Sequence, residues 1–240
     1  MASPMLELRN VSVGAGETTL LHDINLTVHP GEMHVLLGQN GAGKSSLLSA
    51  IMGMPPFEVS AGTVVYNGRD LAGLGVDERA RLGLGMAFQR PPSLAGVTAA
   101  EFAQALGAQR ALADQADALD MGQFAGRDLV VGFSGGEIKR WEVLKLFLQA
   151  PDLILFDEPD SGVDLEHIAA VGAAVGRLVS QPARDGSRRA ALLITHSGLI
   201  LEHVRADRAH IMSSGRIVHS GEPQALFRHI QKAGYVAPAA

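Results

Sequence analysis

Residues 38–45 read Gly38-Gln39-Asn40-Gly41-Ala42-Gly43-Lys44-Ser45, the G-x-x-x-x-G-K-S pattern of a phosphate-binding loop. In a chain of this size the pattern arises by chance with probability on the order of 0.01 at average residue usage, so a mere Gly-rich turn is the weaker account. The flanks agree with it. Met33–Leu37 is an apolar run of strand type, and Ser46–Ile51 continues as a helix. Glycines free the loop's N–H groups, and a helix N-terminus behind them completes a cradle for anionic phosphate. Lys44 is placed to reach the β- and γ-phosphates, and the Ser45 hydroxyl to sit on Mg²⁺.

The rest of the chain reads as strands alternating with helices, which predicts a parallel sheet covered on both faces. Leu6–Val13 and Asp23–Val28 form an expected hairpin, and Thr63–Tyr66 closes on an Asn67-Gly68 turn. Leu84–Phe88, Leu153–Phe156 and Ala191–Thr195 read as buried strands. Helices are predicted from Gly135 to Leu148, with Trp141, Leu144 and Leu148 on one face, and over Leu165–Leu178. A hairpin, Ala209–Met212 to Ile217–Val218, turns at Ser213-Ser214-Gly215, and a last amphipathic helix spans Pro223 to Lys232. Residues 93–132 differ: they are rich in Ala and Gln, with Phe102 and Leu106 one helical turn apart. The 240 residues are therefore read as one α/β domain, with 1–92 and 133–240 as the core and 93–132 as an inserted helical lobe.

Composition excludes several classes. A net charge of −5 argues against a basic nucleic-acid binder, and no nucleic-acid partner is expected. The chain has no cysteine, so disulfides, thiolate metal sites and thiol catalysis are ruled out. No basic, then apolar, N-terminal region reads as a signal, and no apolar stretch reaches the ~20 residues needed to span a bilayer. A cytoplasmic location without membrane insertion is expected.

Two more segments carry chemistry. Leu153–Phe156 runs into Asp157-Glu158, and in a buried parallel strand only that tip meets solvent. Asp157 is placed to hold Mg²⁺ and Glu158 to act as general base on a water. Taken alone, such a strand end is commonplace; behind a phosphate loop it becomes specific. Ser134-Gly135-Gly136-Glu137 opens a helix, and its exposed N–H groups make a second anion-type start, although an ordinary N-cap would read the same way. The two starts serve either two nucleotides or one nucleotide shared between subunits.

The ordered set resembles the nucleotide-binding domain of the ATP-binding-cassette superfamily: the loop, Gln89, Ser134-Gly135-Gly136-Glu137, Asp157-Glu158, Ser161-Gly162-Val163-Asp164 and His196. The resemblance covers essentially the whole chain. It implies a P-loop ATPase fold, with a mixed, largely parallel core sheet, an antiparallel β subdomain and a helical subdomain. It implies a head-to-tail, ATP-dependent homodimer, in which the loop of one copy (Gly38–Ser46) and Ser134, Gly135 and Gly136 of the other enclose ATP and Mg²⁺. By the same resemblance Gln89 touches Mg²⁺ and the attacking water, Lys44 and Glu158 are catalytic, and His196 contacts the γ-phosphate. Asp160 to Asp164 form a loop that communicates across the dimer, and Asp160 and Asp164 count with the nucleotide-binding set.

Many family members stack adenine on an aromatic residue after the first strand. Residues 12–17 hold none here, and Val13 is the aliphatic platform expected in its place. Weak base discrimination should follow, since stacking contributes roughly 1–3 kcal/mol per base elsewhere.

Within the superfamily, Gly132–Arg140, Met86–Pro92 and Asp157–Asp164 are similar to the SufC branch, the ATPases of SUF iron–sulfur cluster assembly. Ile138, where that branch has lysine, and Pro159, often serine there, depart from it, as does a shorter lobe. The implied partner is a SufB/SufD-like scaffold. The competing reading is the ATPase subunit of a membrane transporter, which shares all the ATP chemistry. A non-hydrolysing switch is disfavoured by intact Lys44, Asp157, Glu158 and His196. Lys139 is read either as a latch on Glu158 or as a solvated lysine.

Overall fold

The computed structural model describes residues 3–196 and 198–235. The N-terminal part holds β1 (Leu6–Ala15), β2 (Thr18–Val28), β3 (Met33–Leu37), α1 (Lys44–Met52), β4 (Phe57–Tyr66), β5 (Arg69–Asp70), α2 (Val76–Leu82) and β6 (Leu84–Ala87). The inserted segment has β7 (Leu94–Thr98), α3 (Ala99–Ala105), α4 (Gln109–Ala116), two 3₁₀ turns and β8 (Asp128–Leu129). Then follow α5 (Gly135–Gln149), β9 (Leu153–Asp157), α6 (Leu165–Ser180) and β10 (Ala190–Ile194). The chain ends with β11 (Arg208–Ser213), β12 (Arg216–Gly221) and α7 (Pro223–Ala233).

The main sheet has the order β12-β11-β3-β10-β9-β6, parallel throughout except for β12. Every residue of β3, β9 and β10 is buried, which is why these strands read as unbroken apolar runs. Alternate side chains feed two cores. Val35, Ile154, Phe156 and Leu193 pack towards α5 and α6; Leu36, Leu155, Leu192 and Ile194 pack towards α1 and the second sheet. That second sheet is antiparallel, ordered β2-β1-β4-β5. Its Asn67-Gly68 turn has both residues at positive φ (46° and 76°), as a two-residue hairpin turn requires.

Two differences from the sequence reading stand out. The lobe is not purely helical: β7 pairs antiparallel with β8 across its base, and Leu106 is exposed. The helix α2 was not anticipated. It delivers Arg79, a buried guanidinium that donates to the carbonyls of Ala50, Ile51, Leu71 and Leu74 at 2.9 Å each. Ala50 and Ile51 lie in the last turn of α1, so Arg79 satisfies helix-end carbonyls that have no partner within the helix.

Parallel register brings the C-terminal ends of β3, β6, β9 and β10 to one edge of the sheet. The site is built there.

Candidate active site

The loop after β3 wraps the N-terminus of α1. Glycine is demanded at two points. A Cβ on Gly38 would stand 2.4 Å from the Met212 carbonyl oxygen, and Gly43 has φ 100° with Leu21 2.3 Å from the place its Cβ would occupy. No side chain caps α1, so the N–H groups of its first turn remain for a ligand. Gln39, Asn40 and Gly41 are exposed, whereas the Ala42 side chain is buried, which leaves its backbone as its contribution.

Lys44 is 5% exposed, and its Nζ donates to the carbonyls of Gly38 (2.7 Å) and Gln39 (3.0 Å). Burial lowers its pKa below the usual lysine range, while the charges of Glu158 and Asp157 pull it back up. The Ser45 hydroxyl donates to Asp157 Oδ1 at 2.9 Å. Burial raises the Asp157 carboxyl above its ordinary range, and the Ser45 bond, Lys139 and Lys44 oppose that rise.

Glu158 follows with φ 52°, a left-handed backbone rare outside glycine, anchored by its N–H on the Ile194 carbonyl at 3.1 Å. The turn aims its carboxylate across the cleft. Oε2 accepts from Gln89 Nε2 at 2.5 Å, and Oε1 pairs with His196 Nε2. The sequence-predicted residues Lys44, Ser45, Gln89, Asp157, Glu158 and His196 are thus brought together from four strand ends. Leu20, Asn40, Gly41, Gly43, Ser46 and most of this set line a cleft of ≈ 800 Å³.

Other expectations need correction. Val13 is fully buried in the core between the sheets, so it is no platform for a base; Leu20 on β2 is the aliphatic side chain that lines the cleft. Asp160 is 5% exposed and accepts the Thr195 hydroxyl at 2.7 Å, which makes it a brace under β10 rather than a residue facing the cleft. Asp164 caps α6 through the His167 N–H and meets the His167 ring. Lys139 neither touches Glu158 nor is solvated: it is 4% exposed and donates to the Gln89 carbonyl at 3.0 Å. Thr195 escaped the sequence reading; its only signal was a hydroxyl at the end of an apolar run.

Ser134, Gly135 and Gly136 lie outside the cleft lining. Ser134 caps α5 in a reciprocal box, its N–H on Glu137 Oε2 (2.7 Å) and its Oγ taking the Glu137 N–H (3.3 Å). Ser134 and Gly135 are exposed, and a Cβ on Gly135 would stand 3.4 Å from the Gly162 carbonyl oxygen.

The family model described as "ABC transporter" matches residues 21–161. The chain belongs to the ATP-binding cassette family. Among its relatives is a probable ABC transporter ATP-binding protein of Streptococcus pyogenes, 38% identical over 96% of this chain and 93% of that one. Another is the probable ATP-dependent transporter SufC of Escherichia coli, 36% identical over 96% and 97%. A nucleotide-free ATP-binding cassette from an ABC transporter shares the fold, with TM-score 0.78 at 20% identity over 98% of this chain and all of that one. This cassette is a nucleotide-binding ATPase. No helix among its described residues is long and apolar enough to cross a membrane.

Proposed function

We propose that the cassette is the ATPase subunit of a SUF-type iron–sulfur cluster assembly complex in the cytoplasm, and that ATP-driven pairing of two copies moves a SufB/SufD-like scaffold. One observation carries this reading: Lys139 of the SufC-like stretch Gly132–Arg140 is buried and donates to the Gln89 carbonyl of the SufC-like stretch Met86–Pro92. The Gln89–Glu158 bond belongs to the ATP chemistry that a transporter subunit would share. Similarity to E. coli SufC over 97% of that protein supports it. The lack of cysteine fits a subunit that does mechanical work while a partner holds the cluster.

In hydrolysis the first-turn N–H groups of α1 and Lys44 hold the phosphates, Lys44 exchanging its loop carbonyls for phosphate oxygens. Glu158 takes a proton from the attacking water. Gln89 and His196, one on each carboxylate oxygen, orient that base. No cluster of three or more His, Asp or Glu suited to a metal occurs among the described residues. The donors present, Ser45 with Asp157 and Gln89 beside it, fit Mg²⁺, which keeps water and phosphate oxygens for most of its ligands. Bound there, Mg²⁺ would neutralise charge on the phosphates. The exposed Ser134 turn, outside its own chain's cleft, supports a site completed by a second copy.

Glu158→Gln should abolish turnover and trap an ATP-bound dimer, read by phosphate release and by sedimentation. Surviving turnover removes Glu158 as the base. Affinity purification from native cells should recover a soluble scaffold protein. Recovery of a membrane permease instead would establish the transporter reading, which the S. pyogenes relative favours.

A further inference from the structure

One face of α5 carries buried charges at three-residue intervals: Lys139, Glu142 (2% exposed) and Lys145 (8%). All three reach the same two residues. Glu142 Oε2 accepts the Phe88 N–H at 2.6 Å and the Lys145 ammonium at 2.6 Å. Lys145 Nζ also lies 4.4 Å from the centroid of the Phe88 ring. Lys139 takes the Gln89 carbonyl. One helix therefore grips Phe88-Gln89 by amide, ring and carbonyl, just beyond the end of β6.

Burying these charges is costly, and Glu142 Oε1 is buried with no hydrogen-bond partner. Apolar side chains would fill the same space at less cost. What they cannot do is hold a backbone amide with a short, directional, charge-assisted bond. The grip lies one residue from the Gln89 side chain that meets Glu158, and α5 begins at the Ser134 turn.

We propose that Glu142 is a positioning residue for ATP hydrolysis: it fixes the backbone at Phe88 so that Gln89 meets Glu158, and it ties that pair to α5 and so to the Ser134 turn. This rests on the reading of Glu158 as the base and Gln89 as its partner.

The test is a double-mutant cycle with Gln89→Ala. Glu142→Asp keeps the charge beside Lys145 and withdraws the carboxylate by one methylene. The double change Glu142→Gln with Lys145→Met leaves no unpaired charge. Each should lower kcat about tenfold or more and leave KM for ATP within about twofold. In the Gln89→Ala background each should change kcat less than about twofold. An undiminished kcat in the single-background variants overturns the assignment. So does an equal loss in both backgrounds, since a merely structural role would act with or without Gln89. If neither variant folds by near-ultraviolet circular dichroism, Glu142 is a folding determinant and the assignment falls. Failure of the reading beneath it shows separately, as turnover by Glu158→Gln.

Discussion

Lys44 shows what a single side chain does in this cleft. It is a buried cation facing two carboxylates, held by its own loop carbonyls, which the proposed mechanism has it exchange for phosphate oxygens. Charge-assisted hydrogen bonds contribute about 1.5–3 kcal/mol each, so Lys44→Ala should weaken ATP binding roughly 10- to 100-fold. Titration calorimetry checks it; affinity within about twofold of wild type would show that backbone N–H groups carry the binding alone. That Lys44, Ser45, Asp157, Glu158 and His196 would meet at one sheet edge was legible because Lys44 and Ser45 close a Gly-rich loop pattern and the other three stand at the ends of apolar runs. Val13 was misread for a reason that residue types do not reveal. Leu6 and Leu8 face the core, and simple alternation would turn Val11 and Val13 away from it. The strand register shifts between Leu8 and Val11, where Asn10 takes φ 51°, and both valines face inward again. Lys139 was misread because its acceptor is a backbone carbonyl fifty residues earlier.

Elements disclosed themselves unevenly. β3, β9 and β10 were plain, since a buried parallel strand is an apolar run. β7 and β8 were hidden: Leu94 is exposed, and its partner Leu129 is far along the chain, so nothing local marks the pair. α2 was hidden by its charges, yet its Arg79 ends α1. Arg79→Met would leave four carbonyls without that donor, at a cost of about 3 kcal/mol. That should lower Tm by about 6–12 °C in a chain of this size, measurable by calorimetry; an unchanged Tm would show that water replaces the guanidinium. A second joint links β3, β11 and β12. His210 bonds the Ser220 hydroxyl (2.7 Å) and His34 (3.0 Å), and His34 reaches Glu32 (3.1 Å). Burial holds both imidazoles below their ordinary pKa, His210 at about 3, with His34 and Arg208 adding to the effect at His210. The unfolded chain therefore binds these protons first, and stability present above pH ~6.5 is lost as pH falls. His210 alone accounts for about 2 kcal/mol between pH 8 and pH 5. Urea unfolding at the two values should show a loss as pH falls, and His210→Phe should shrink it by about that amount.

At the scale of the molecule, the cleft and the Ser134 turn are separate regions of one chain, and the proposed dimer makes them one site. Sequence pattern placed both starts but left open whether they served one nucleotide or two, because pairing between copies is not written in local residue choice. Among the described residues, the exposed, capped Ser134 turn stands beside Gly162 and outside the lining of the cleft. Ser134→Arg should then leave ATP binding by the single copy within about twofold of wild type while abolishing turnover. The decisive case is a mixture. Ser134→Arg supplies an intact loop, and Lys44→Ala supplies an intact Ser134 turn, so each mutant pair alone has two dead sites. A mixed pair has one site damaged twice and one intact. At equal amounts half of random pairs are mixed, so turnover should recover to about a quarter of wild type, read as phosphate release against mixing ratio. A mixture as inactive as its components would mean that loop and turn never share a nucleotide. A Ser134→Arg chain active on its own would mean that the turn serves no nucleotide at all.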